Sequence, residues 1–88
     1  MSTYYVIQPN ISFRQVNDEL FLLHRNESTV FNLNPTATFI WNKIANGEST
    51  DTIINCLCKE YAIDQDTARN DVMELIDTLQ QKNMVEPR

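Results

Sequence analysis

Glycine occurs once, histidine once and proline three times in this chain, and no apolar run exceeds four residues, as at 20–23. Scarce Gly and Pro exclude collagen-like and low-complexity chains. A bilayer-spanning helix needs about 20 apolar residues, so no membrane partner is expected. The N-terminus lacks a basic segment followed by an apolar stretch, which argues against secretion and for a cytoplasmic protein. Cys56 and Cys58 stand two apart in a helical stretch, pointing about 200° away from each other. They read as reduced thiols, neither a disulfide nor a metal pair. His24 has no cysteine near it in sequence, and no glycine-rich phosphate loop exists. Convergent reactive groups are therefore missing, and the expectation is no enzyme, no catalytic residue, no metal and no cofactor. His24 itself is expected to be solvated at a turn edge. Asp64 and Asp66 fall where helix caps belong, which accounts for both without acid-base chemistry.

What is present is 42% hydrophobic content in 88 residues, enough for one core shared by every element. Residues 1–10 read as an N-terminal arm, either loose or an extra strand, and 11–88 as a single domain. Charge is uneven. Between Glu48 and Asp77 eight acids face only Lys59 and Arg69, a net of −6, and the rest of the chain is +1.

Ile11 and Phe13 alternate with Ser12 and Arg14, the pattern of a half-buried strand. Asn17 and Asp18 supply a turn, the apolar run to His24 a second strand, and 25–28 a polar reversal. The chain returns as Thr29-Val30-Phe31-Asn32-Leu33, completing a three-stranded antiparallel meander whose third strand lies at an edge. At Asn34 and Pro35 the period changes from two to 3.6, with Asn as N-cap and Pro at the first helical position. Ala37, Ile40, Trp41 and Ile44 form that helix's buried stripe, and Gly47 ends it. A second helix starts near Ser49 or Thr50 and buries Ile53, Ile54, Leu57 and Tyr61. The third, capped by Asp64 or Asp66, places Ala68, Val72, Leu75, Ile76 and Leu79 on one face as far as about Gln81, with Asn83 as its stop. The fold class is α+β, winged helix-turn-helix-like: a three-stranded antiparallel sheet followed by three helices.

That outline invites a DNA-binding regulator as the alternative function, which requires Lys or Arg on the docking helix and wing. The third helix instead carries Asp66, Asp71, Glu74 and Asp77 against Arg69 and Lys82, and the hairpin tip offers only Arg25. No nucleic-acid partner is expected.

The third strand is more informative. Residues 28–33 contain no charge, no Pro and no Gly, whereas exposed edges are ordinarily blunted by such residues. Either this edge is covered, by residues 4–7 or by a second copy in a homodimer, or it is left to accept a foreign strand through its main chain. Phe31 and Leu33 are the better core candidates, leaving Val30 and Asn32 outward; the opposite register is the alternative.

Leu33-Asn34 followed by Thr36-Ala37, then Ile40, Gly47, Ile54, Leu57 and Tyr61, and finally Asp71-Val72 with Leu75-Ile76 and Leu79, resembles the PqqD family. That family comprises the pyrroloquinoline quinone synthesis protein D and related recognition elements for ribosomally made, modified peptides. The resemblance covers about residues 11–85. It implies a non-catalytic domain that pairs its third strand with a precursor's leader peptide and presents it to a modifying enzyme. Under it, Ser28, Thr29, Val30, Phe31, Asn32 and Leu33 supply the ladder, and Ala68, Asp71, Val72 and Leu75 line an adjoining groove. Val72 and Leu75 also belong to the core stripe, and Asp71 serves either a local hydrogen bond or a basic leader residue. In the quinone-synthesis branch a Pro-Glu pair commonly precedes the third strand and a Gly-Trp pair closes the last helix. Here those places hold Asn26-Glu27 and Asn83-Met84, which points to another pathway. Its enzyme would be a radical SAM enzyme or a leader peptidase and cyclase.

Overall fold

A computed structural model describes residues 3–88, so the first two residues of the expected 1–10 arm lie outside it. In chain order the elements are β1 (Tyr5–Ile7), β2 (Ile11–Val16), β3 (Glu19–His24), β4 (Thr29–Leu33), α1 (Pro35–Ala45), α2 (Thr50–Tyr61), α3 (Gln65–Gln81) and β5 (Val85–Pro87). The expected meander is β2-β3-β4, antiparallel throughout. Its register aligns Ile11, His24 and Thr29 in one cross-strand row, and Phe13, Leu22 and Phe31 in another. Both rows face the helices. Because side chains alternate, Ser12, Leu23 and Val30 form a row on the opposite face, as do Arg14, Phe21 and Asn32.

Each helix begins at an extended N-cap residue whose side chain accepts from a backbone N–H of the first turn. Asn34 Oδ1 accepts from the Ala37 N–H at 2.8 Å, Ser49 Oγ from Thr52 at 3.3 Å, and Asp64 Oδ1 from Thr67 at 2.7 Å. Helix ends otherwise leave such donors unpaired. Gly47 follows α1 at φ +81°, and Asn83 takes the left-handed conformation at φ 58° after α3. Met84 is then buried, so Asn83 and Met84 provide both the chain reversal and an apolar plug. Leu20, Leu22 and Leu33 from the sheet meet Ile40, Trp41, Ile53, Leu57, Val72, Ile76 and Leu79 in one core. Each such side chain contributes about 1.5–3 kcal/mol when fully buried.

Of the two alternatives for residues 4–7, the structure takes the strand. β1 pairs with β5, a short C-terminal strand that sequence periodicity did not disclose, aligning Ile7 with Val85. Flanking bonds from Gln8 N–H to Met84 O, Arg88 N–H to Tyr4 O and Thr50 N–H to Thr3 O, each 2.9 Å, extend the clasp. Two side chains sit differently from expectation. His24 is 3% exposed rather than solvated, because it shares the core-facing parity of Leu20 and Leu22. Among the described residues its ring nitrogens make no hydrogen bond, and Glu27 Oε2 lies 3.8 Å from Nε2. Tyr61 is 39% exposed rather than buried; at the last turn of α2 it meets Phe39 edge-on, ring centroids 5.9 Å apart. No helix among the described residues is long and apolar enough to cross a membrane.

Candidate functional site

β4 is an edge strand: it pairs with β3 on one side, and among the described residues no strand pairs with the other. The N-terminal arm, one of the candidates to cover it, is committed to β5. Along β4, Val30 is 65% exposed and Leu33 only 3%, with Phe31 between these extremes, so Phe31 and Leu33 face inward and Val30 and Asn32 outward. Ser28 stands outside the strand. Its φ of 53° makes it the last residue of the β3–β4 reversal. At the other end the Leu33 carbonyl accepts from Thr38 Oγ1 at 3.2 Å. The open main chain therefore runs over Thr29, Val30, Phe31 and Asn32.

A groove of about 340 Å³ begins where β4 ends. Asn34, Thr36, Ala37 and Ile40 of the α1 start line one wall, and Asp71, Glu74, Leu75 and Thr78 of α3 the other. Asp71 and Leu75 were expected there. Ala68 and Val72 were expected as well, but both are 0% exposed and belong to the core. Helix geometry gives the reason: Val72, Ile76 and Leu79 share the stripe that faces α1 and α2, whereas Asp71, Glu74, Leu75 and Thr78 follow 3, 4 and 7 spacing on the adjacent stripe. A signal for Glu74 and Thr78 was thus present, since they continue the face that Asp71 begins. Thr36, Ala37 and Ile40 carried part of the family resemblance, and Ala37 and Ile40 also read as core, but none was expected in the groove.

Charge and aromatic contact distinguish the ends of this wall. Asp71 and Glu74 line the same groove as the first residues of α1, a helix with no acid in its own first turn. The positive end of a helix favours such carboxylates. Asp71 makes no side-chain hydrogen bond or ion pair among the described residues, so the local bond considered for it is not formed. At the far end of α3 the Lys82 ammonium sits 4.8 Å from the centre of the Phe31 ring, a cation–π contact that ties the helix terminus to the edge strand. Asp64, which caps α3, has its carboxyl held below the ordinary value by the Thr67 backbone N–H and then by the Thr67 side chain. Cys56 and Cys58 are free thiols. No group of three or more potential metal ligands occurs among the described residues.

An open sheet edge with a helix-lined groove at its end defines a class of α+β domain. The particular family follows from sequence: the chain belongs to the PqqD family, described as coenzyme PQQ synthesis protein D, whose sequence model matches residues 19–85. Two solved structures share the fold at a TM-score of 0.87. One is TbiB1 in complex with the TbiA(beta) leader peptide, 28% identical, with 91% of this chain and 93% of that chain covered. The other is lasso peptide synthetase B1 complexed with the leader peptide, 26% identical, with 94% and 98% covered. No curated protein sequence matches the chain.

Proposed function

We propose that this domain binds the leader segment of a ribosomal precursor peptide as an added strand on β4 and presents it to a separate modifying enzyme. One observation carries the reading: β4 has a bare, uncharged outer edge beside the α1–α3 groove, in a fold shared with two leader-bound proteins. Thr29, Val30, Phe31 and Asn32 supply amide and carbonyl partners, which give affinity whatever the leader's side chains. Leu75 and Ala37 offer an apolar floor for an anchor residue, backed by the buried Ile40, and Asp71 and Glu74 a polar flank. Leu33, Ala68 and Val72 support the site from the core, and Ser28 sets the turn into it. Residues 11–88 act as one recognition domain, clasped by β1.

The domain does no chemistry. It raises the concentration of substrate at its partner, as linked binding sites do. Likeness to a lasso peptide synthetase B1 favours a leader peptidase and cyclase as the partner over a radical SAM enzyme. A free leader is disordered, and ordering it costs about 2–5 kcal/mol, so affinity rests on few anchors.

Substituting proline singly from Thr29 to Leu33 and measuring anisotropy of a labelled leader peptide tests the reading. Loss of binding should alternate along the strand, because outward N–H groups alternate with those bonded to β3. Even tolerance across all five positions, in variants with unchanged circular dichroism, would refute strand addition.

A further inference from the structure

On a sheet with one face in water, outward positions are ordinarily polar. Here the face turned away from the helices carries an apolar patch among the polar Ser12, Arg14, Glu19 and Asn32. Phe21 and Leu23 are each 38% exposed, Val16 46% and Val30 65%. Register places them together, since Leu23 pairs with Val30, and Phe21 lies between Arg14 and Asn32. Apolar side chains gathered in one exposed row, and not scattered singly, are the kind of surface that contact sites use.

We infer that this outer sheet face is the docking surface for the modifying enzyme, which meets it with an apolar patch flanked by a carboxylate. The inference rests on the leader-binding reading above. Two observations choose the occupant. Continuity is the first: Val30 belongs both to this face and to the edge that receives the leader, so an added strand widens the sheet and lays its alternate side chains beside Val30. A protein seated on the face touches module and leader together and thereby distinguishes the loaded module from the empty one.

Charge is the second. Arg14 stands in the patch next to Phe21 without a hydrogen bond or ion pair among the described residues, and it calls for an acid from outside. A second copy would answer it poorly, because the acid on this face, Glu19, already accepts from Asn32 Nδ2 at 3.1 Å. Three strands about 4.8 Å apart and five residues long make a footprint of roughly 250 Å², far below the ~800 Å² per partner of a stable protein–protein interface. The face therefore serves as one part of a larger contact that includes the bound leader.

The test uses the full-length module, labelled leader peptide, whole precursor and the purified enzyme that processes it. In the double variant Phe21→Thr with Leu23→Thr, and separately in Arg14→Glu, leader affinity should stay within about twofold of the parent. Stimulation of the enzyme at limiting module should fall about tenfold, equivalent to ~1.4 kcal/mol, and return at high module concentration. Undiminished stimulation with leader binding intact would overturn the inference while leaving strand addition standing. Sedimentation showing a parent dimer that the double variant converts to monomer would overturn it in favour of a second copy. Failure of the parent to bind leader at all would remove both readings.

Discussion

The two edges of the main sheet differ in how they meet solvent. β2, at one edge, carries Arg14, begins two residues after Pro9, and is tied to the rest of the molecule. Asn42 of α1 donates to Gln15 Oε1 at 3.3 Å, and Arg25 Nη2 donates to the Pro9 carbonyl at 3.0 Å. β4, at the other edge, has no charged residue or proline, and its outward side chains include the exposed Val30. Charge and proline are the ordinary guards against unwanted strand pairing. One edge is guarded and the other left open within a single 88-residue chain, an asymmetry in keeping with the proposed use of the open edge.

Proline separates the edges most sharply. In β4, proline at an outward N–H position should remove leader binding altogether in an anisotropy titration. In β2, at Ser12 or Gln15, it should leave leader affinity unchanged wherever the variant still folds. Equal losses from both edges would break the comparison. A smaller effect comes from exchanging the guards. Val30→Lys places a charge on the open edge, where little is buried to be lost, and should weaken leader binding about tenfold. Arg14→Val removes the guard from β2 and should promote self-association, visible as concentration-dependent light scattering, without altering leader affinity.

How much of this was readable beforehand depends on whether a local signal exists. The meander, the three helices and their caps rest on periodicity and on single residues such as Asn34, Pro35 and Asp64, and each sits where its chemistry dictates. The open edge was legible as well, because the absence of charge in 28–33 is a property of sequence. The β1–β5 clasp was not. Three-residue strands carry no period, and their pairing joins opposite ends of the chain. His24 failed for a related reason: polarity suggested solvent, whereas strand parity with Leu20 and Leu22 decided burial. On α3, Ala68 and Val72 were placed in the groove when they lie one stripe away from it. A rotation of about 100° per residue separates floor from core, and only the packing against α1 and α2 fixes which stripe is which.

Lys82 links the open edge to α3, so removing its charge asks whether the site depends on that link. Lys82→Met should lower stability by about 0.5–1 kcal/mol, the usual worth of an exposed cation–π contact, seen as a modest fall in the urea midpoint. Leader affinity should fall by a few-fold at most, because the β4 main chain is untouched. A loss as large as that from proline would mean that recognition depends on the Lys82–Phe31 contact and not on the main chain of β4 alone.

The smallest effect lies at the N-terminus of α3. Thr67 holds the Asp64 carboxyl below its ordinary value in the folded state. A carboxyl depressed on folding adds stability that is fully present above its unfolded value and is lost as pH falls through the folded one. Acidification into and below the usual carboxylate range should thus lower the melting temperature slightly through this cap. Asp64→Asn retains the acceptor, since Asn caps helices as well as Asp, but has no proton to gain. Its melting temperature at neutral pH should match the parent, and its acid-dependent decline should be shallower. Identical acid profiles would show that the cap contributes nothing to the pH response. Leader affinity at neutral pH should be equal in the two proteins, because Asp64 lies two helical turns before the first groove residue of α3.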